Sequence, residues 1–179
     1  MQPFVTDLKK IRERARTAID QGAVTPGYKG DRQQVIKVLN EVLATEIVCA
    51  LRYKRHYYTA DGMNSESVKA EFLEHAKEEE EHADWVAERI TQLNGEPNFN
   101  PAGLAERSHS DYEEGTDLAS MVEEDLVAER VAIETYSEII RWLGDNDPTT
   151  RRLIERILEK EEEHAEDLVS LISRLKPQH

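Results

Sequence analysis

The chain has 179 residues, 39% of them hydrophobic and 34% charged, with a net charge of −14 and one cysteine. That length suits one compact domain with a short appendage, and no apolar run approaches the roughly 18 residues of a membrane-spanning helix. A single cysteine excludes an internal disulfide and any multi-cysteine metal site, while the negative charge opposes a nucleic-acid-coating surface over most of the molecule.

The first segment, 1–30, is unlike the rest of the chain in charge. Lys9, Lys10, Arg12, Arg14, Arg16 and Lys29 stand against Asp7, Glu13 and Asp20, a net of +3 that leaves −17 for the remainder. Its start lacks the basic-then-apolar layout of a secretory signal, so a reducing cytoplasmic setting is expected. Phe4, Leu8, Ile11, Ala15 and Ile19 recur at helical spacing, predicting an amphipathic helix of about fifteen residues that ends near Gly22. It reads as a device for docking on a neighbouring subunit, with a weak contact to DNA or another anion as the alternative.

Residues 31–179 form the second unit. Gly62, the Gly95–Gly115 region and Gly144-Asp145-Asn146-Asp147-Pro148 break it into four long stretches, roughly 31–60, 65–94, 116–143 and 148–175. None alternates with the period of a strand. Val35, Leu39 and Val42; Val68, Phe72, Val86 and Ile90; Leu118, Val122 and Leu126; and Ile154, Ile157, Leu168 and Leu171 fall at steps of three and four. Each stretch is therefore a helix with one apolar stripe, and together they predict an all-α four-helix bundle. Short breaks make the first two helices an antiparallel pair, and likewise the last two. The middle connection, about twenty residues, is long enough to run the length of the bundle as one crossover. Within it, 101–107 reads as one or two helical turns.

The stripes turn polar at matching places. They pass through Glu46 in the first helix, Glu79 and His82 in the second, Glu129 in the third, and Glu161 and His164 in the fourth. Counted from the breaks, all four glutamates fall near one level at mid-bundle. The halves repeat: Glu46-x6-Tyr53 is matched by Glu129-x6-Tyr136, and Glu79-x-x-His82 by Glu161-x-x-His164. Acidic runs such as Glu78–Glu81 are ordinarily solvated helix faces, so the runs alone prove nothing. Four buried carboxylates at one level, however, repel one another unless cations lie between them. Four Glu⁻ with two neutral imidazoles balance two divalent ions, and the donor set suits iron or manganese. One Glu from each of two helices plus Glu-x-x-His from the other two is the donor set of di-iron and di-manganese carboxylate bundles.

The segments Leu43-Ala44-Thr45-Glu46-Ile47-Val48, Glu79-Glu80-Glu81-His82-Ala83-Asp84, Asp125-Leu126-Val127-Ala128-Glu129 and Glu161-Glu162-Glu163-His164 resemble those of the bacterioferritins, within the ferritin-like superfamily, over about 35–172. The resemblance implies a ferritin-like four-helix bundle with an extra N-terminal helix. It implies two irons per chain, with Glu46 and Glu129 as terminal ligands, Glu79 and Glu161 as bridges, and His82 and His164 completing the two spheres; manganese or zinc could substitute. Tyr53 matches a tyrosine beside the site and is the candidate catalytic residue, with Tyr136 as its counterpart. The family's haem-ligating methionine would fall where Glu80 stands, so haem is not expected. The absence of a fifth helix after about Leu175 and the presence of an N-terminal helix resemble starvation-type ferritins, implying a homo-oligomeric twelve-subunit cage. The activity implied is a ferroxidase that oxidises Fe²⁺ with O₂ or H₂O₂ and stores the product. Its rivals are a peroxidase or manganese-catalase-type enzyme without storage, and a DNA-protecting scaffold. Cys49 reads as a small core residue, and His75 as a helix-face histidine paired with Glu71 or Glu79, with a place on the entry path as its alternative.

Overall fold

The computed structural model describes residues 3–62 and 65–175. Six α-helices follow in order: α1 (Leu8–Arg14), α2 (Arg32–Thr59), α3 (Ser65–Gln92), α4 (Leu104–Arg107), α5 (Leu118–Leu143) and α6 (Pro148–Leu175). No strand occurs among the described residues. The four long helices lie where the glycine and proline breaks predict, and their caps give the local reason. Asp31 accepts from the Gln34 amide at 3.2 Å and Asp117 forms a reciprocal box with Ser120, satisfying amides that have no partner within the helix. Pro148 supplies the preset φ of a first helical residue, while Asp147 accepts from the Thr150 amide at 2.9 Å.

Helix α2 packs along α3 and α5 along α6, with α2 touching α5 and α3 touching α6. Each 28-residue helix is about 42 Å long, and the crossover from α3 to α5, carrying α4, travels the bundle's length along α2. The core is split in two. One apolar cluster gathers Leu39, Leu43, Val86, Ile90, Leu143 and Ile154. The other gathers Phe72, Ala76, Val122, Leu168 and Leu171 toward the opposite end. The polar level predicted at mid-bundle lies between them.

Two buried charged knots fasten the chain. At one end Asp147 accepts from Arg89 at 3.0 Å and from the Tyr28 hydroxyl at 2.9 Å, tying the N-terminal linker to α3 and α6. At the other, Asp125 of α5 takes Arg52 Nε at 2.7 Å and pairs with His56 Nδ1 at 2.8 Å. Arg52 also donates to the Asp111 carbonyl at 3.1 Å, and His56 Nε2 lies 3.0 Å from the Glu114 carbonyl. These contacts strap the crossover to α2.

The N-terminal helix is shorter than its periodicity predicts. It spans seven residues and is followed by a separate 3-10 turn at Ile19–Gln21. Thr17 bonds the Arg14 carbonyl at 2.8 Å, and Ala18 takes a left-handed φ of 49°. Phe4, Leu8 and Ile11 stay exposed. An isolated helix of this length gains too little from its own hydrogen bonds to extend without a packed face.

Candidate metal centre

The site is built from one-turn steps along each stripe. Glu46 follows Val42 in α2, Glu79 and His82 share one face of α3, Glu129 follows Asp125 in α5, and Glu161 and His164 share one face of α6. All six side chains are at most 1% exposed. Their donor atoms fall into two overlapping groups, Glu46, Glu79, His82 and Glu161, and Glu79, Glu129, Glu161 and His164, each within a 4.8 Å span. Glu79 and Glu161 belong to both. His82 Nδ1 lies 3.1 Å from both Glu46 Oε2 and Glu161 Oε1. His164 Nδ1 lies 3.3 Å from Glu79 Oε1 and 3.8 Å from Glu129 Oε1.

Five of these buried atoms have no hydrogen-bond partner among the described residues: Glu79 Oε1, Glu129 Oε2, both Glu161 oxygens and His164 Nδ1. A buried unpaired carboxylate oxygen costs free energy, and four such oxygens with one imidazole nitrogen converging on one volume fit cations held among them. The donor set, oxygen and imidazole with no thiolate, suits iron.

The surrounding groups orient the donors. The Tyr53 hydroxyl donates to Glu129 and the Tyr136 hydroxyl to Glu46, so each tyrosine holds the glutamate of the helix opposite, keeping the twofold repeat seen in the sequence. His164 Nε2 meets Glu78 Oε2 at 2.6 Å. With its Nε2–H committed there, Nδ1 is the nitrogen free to bind a cation. The acidic run hid this role of Glu78, because only packing selects which member faces α6. Sequence reasoning also missed Arg52 and His56 as buried groups. Their only sequence signal is the place of Arg52 beside Tyr53, one residue off the stripe.

Cys49 is a buried core residue with Sγ 3.5 Å from Ser110 Oγ; burial pushes its thiol up, and nearby carboxylates add to the effect against the pull of Arg52. His75 lies 3.8 Å from Glu71 Oε1, one of the two neighbours expected for it. It is 1% exposed, and neither ring nitrogen makes a hydrogen bond.

Burial, followed by neighbouring carboxylate charge, raises the pKa of Glu79 and of Glu129 and carries Glu161 to about 8. Burial pulls His82 and His164 down, but hydrogen bonding and the charges of the glutamates override it, raising His82 and taking His164 to about 9. All five folded values lie above the unfolded ones. Each group's stabilisation is therefore complete below its unfolded pKa and lost as pH rises through the folded value. The metal-free protein should lose thermal stability from about pH 5 to pH 9. Zn²⁺, which must displace these protons, should raise the melting temperature more at pH 8 than at pH 6. Calorimetry across that range checks the sign, and a metal-free midpoint that climbs with pH would contradict it.

The bacterioferritin of Desulfovibrio desulfuricans is 33% identical over 140 residues, covering 77% of this chain and 74% of that protein. Its solved structure, described as containing a diiron site, superposes with a TM-score of 0.71 at 30% identity, covering 80% and 81% of the two chains. The dodecameric thioferritin of Bacteroides fragilis, a bacterioferritin-related protein, gives a TM-score of 0.79 at 33% identity, covering 82% of this chain and 89% of that one. Residues 36–177 match the Ferritin family model, and the chain thus belongs to the ferritin-like domain family.

Proposed function

We propose that this chain is an iron-storing ferroxidase. The observation that carries the reading is the pair of overlapping donor groups joined by Glu79 and Glu161. In this assignment Glu46 and His82 complete one position, Glu129 and His164 the other, and the two shared glutamates bridge them. Two bound Fe²⁺ supply two electrons to O₂ or H₂O₂. The chain's own work is positioning and charge balance. Four carboxylates neutralise two divalent ions. Tyr53 and Tyr136 fix Glu129 and Glu46, and Tyr53 is the residue proposed to assist the reaction through its hydroxyl. Glu78 holds the His164 tautomer, and the two apolar clusters keep bulk water from the level between them. Mn²⁺ and Zn²⁺ suit the same donors. Haem has no role in this reading, since Glu80, where a methionine ligand would be expected, is paired with Lys54 at the surface.

Assembly into a twelve-subunit cytoplasmic cage completes the proposal. Residues 1–30 form its docking segment and 31–179 its bundle, with the exposed Phe4, Leu8, Ile11 and Ile19 meeting a neighbour. The exposed Lys9, Lys10, Arg12, Arg14 and Arg16 offer phosphates a secondary contact, which the acidic body opposes. Native mass with iron loading tests the storage reading. Twelve 20.6 kDa chains give about 247 kDa, loading should far exceed two irons per chain, and deletion of 1–24 should weaken the assembly. A dimer that oxidises Fe²⁺ but retains only two irons per chain would favour the peroxidase-type rival.

A further inference from the structure

His75, one turn along α3 from Glu79, and Glu71, two turns away, meet Asp167, one turn along α6 from His164, in a third group of donors. None is among the six donors of the dinuclear centre. His75 Nε2 lies 3.8 Å from Glu71 Oε1 and 3.7 Å from Asp167 Oδ2. Those distances exceed a hydrogen bond, and both His75 nitrogens are buried without a partner. They suit donors on one cation instead. With metal–donor bonds of about 2.1 Å, two ligands stand about 3.4 Å apart at a tetrahedral angle and further apart when the angle opens.

The charges agree. Burial, and then the negative charges of Asp167 and Glu74, raise the pKa of Glu71 against the opposing charges of Arg174 and His164. The His75 imidazole faces two carboxylates. Among the described residues no lysine or arginine lies within ion-pair distance of Glu71 or Asp167, although the charge of Arg174 reaches Glu71.

Exposure falls along the group. The Asp167 side chain is 47% exposed, that of Glu71 31%, and that of His75 2%. The His75 ring stacks on the His164 ring with centroids 4.0 Å apart, and His164 belongs to the dinuclear donors. We propose that Glu71, His75 and Asp167 form a third, mononuclear site for a divalent cation, one that receives Fe²⁺ at the bundle surface and stages it for the dinuclear centre. The staging role rests on the ferroxidase reading. The existence of the site does not.

Crystals soaked anaerobically with Co²⁺ provide the test. Anomalous maps should show three peaks per chain, the third bounded by Glu71, His75 and Asp167. In Glu71→Gln/Asp167→Asn protein the third peak should vanish while the other two persist. Initial Fe²⁺ oxidation at subsaturating iron should fall about tenfold, the scale on which lost metal contacts act. Absence of the third peak from wild-type protein overturns the proposal, whether or not the variant folds. A third peak without the other two sustains the site and overturns the ferroxidase reading. Unchanged oxidation in a variant that has lost only the third peak overturns the staging role.

Discussion

In Glu79→Gln/Glu161→Gln protein, rapid Fe²⁺ oxidation falls by at least about a hundredfold, because loss of even a ligand's supporting partner weakens metal sites by ten- to a hundredfold and here both bridges lose their charge. Stability moves the other way. Glu79 and Glu161 are buried side by side with raised pKa values, and the charge of Glu161 is among the causes that raise Glu79 and Glu129. Neutral amides of the same shape remove that repulsion. The metal-free variant should therefore melt above the metal-free parent at pH 8, by about 2–8 °C if one to two kcal/mol of repulsion is relieved. Glu80→Gln, in the same acidic run but exposed and paired with Lys54, should change neither property. Stopped-flow absorbance and calorimetry on the three proteins give the answer. Unchanged oxidation in the double variant would rule out the centre, and a lowered melting temperature would show that repulsion does not govern this level of the core.

The second large effect is structural. Asp125→Ala removes the only acidic partner that Arg52 has among the described residues, leaves a fully buried guanidinium behind, and leaves His56 Nδ1 unpaired as well. Stranding a buried charge costs about 3–5 kcal/mol, a drop of about 6–20 °C in melting temperature for a chain of this size. The loss exceeds what the ion pair contributes net, because most of the attraction in an intact buried pair is offset by desolvation. The crossover should loosen with it, since Arg52 and His56 reach the Asp111 and Glu114 carbonyls from the same knot. Hydrogen exchange of 108–117 should rise in the variant. Stability and exchange unchanged from the parent would show that the knot does not hold the crossover.

The two effects separate because the bundle uses buried charge in two ways. At Asp125 the charges are balanced within the protein, with every carboxylate oxygen answered by a cation or an imidazole. At Glu79 and Glu161 oxygen atoms are left unanswered. The first arrangement fastens the fold, and the second is a seat for positive charge that the fold tolerates at some cost in stability.

The four long helices and the donor stripes were legible in the amino-acid order. Both are local: breaks at Gly62, Gly95–Gly115 and Gly144–Pro148 end helices by backbone chemistry, and a 3.6-residue period places Glu79 and His82, or Glu161 and His164, on one face. Equal counting from the breaks then put the four glutamates at one level. Tertiary structure alone decided which groups meet across helices. Nothing local couples Tyr53 to Glu129, Tyr136 to Glu46, or Glu78 to His164, because those contacts depend on how far each helix is rotated about its axis when it packs. The same holds for His75. From spacing it was a helix-face histidine with a neighbouring glutamate, but packing of α6 over α3 buries it and brings Asp167, 92 positions away, to its ring. The N-terminal helix shows the converse. Its apolar spacing is helical for about fifteen residues, yet only Leu8–Arg14 is helical in the single chain, because a stripe with no surface to cover does not hold a marginal helix.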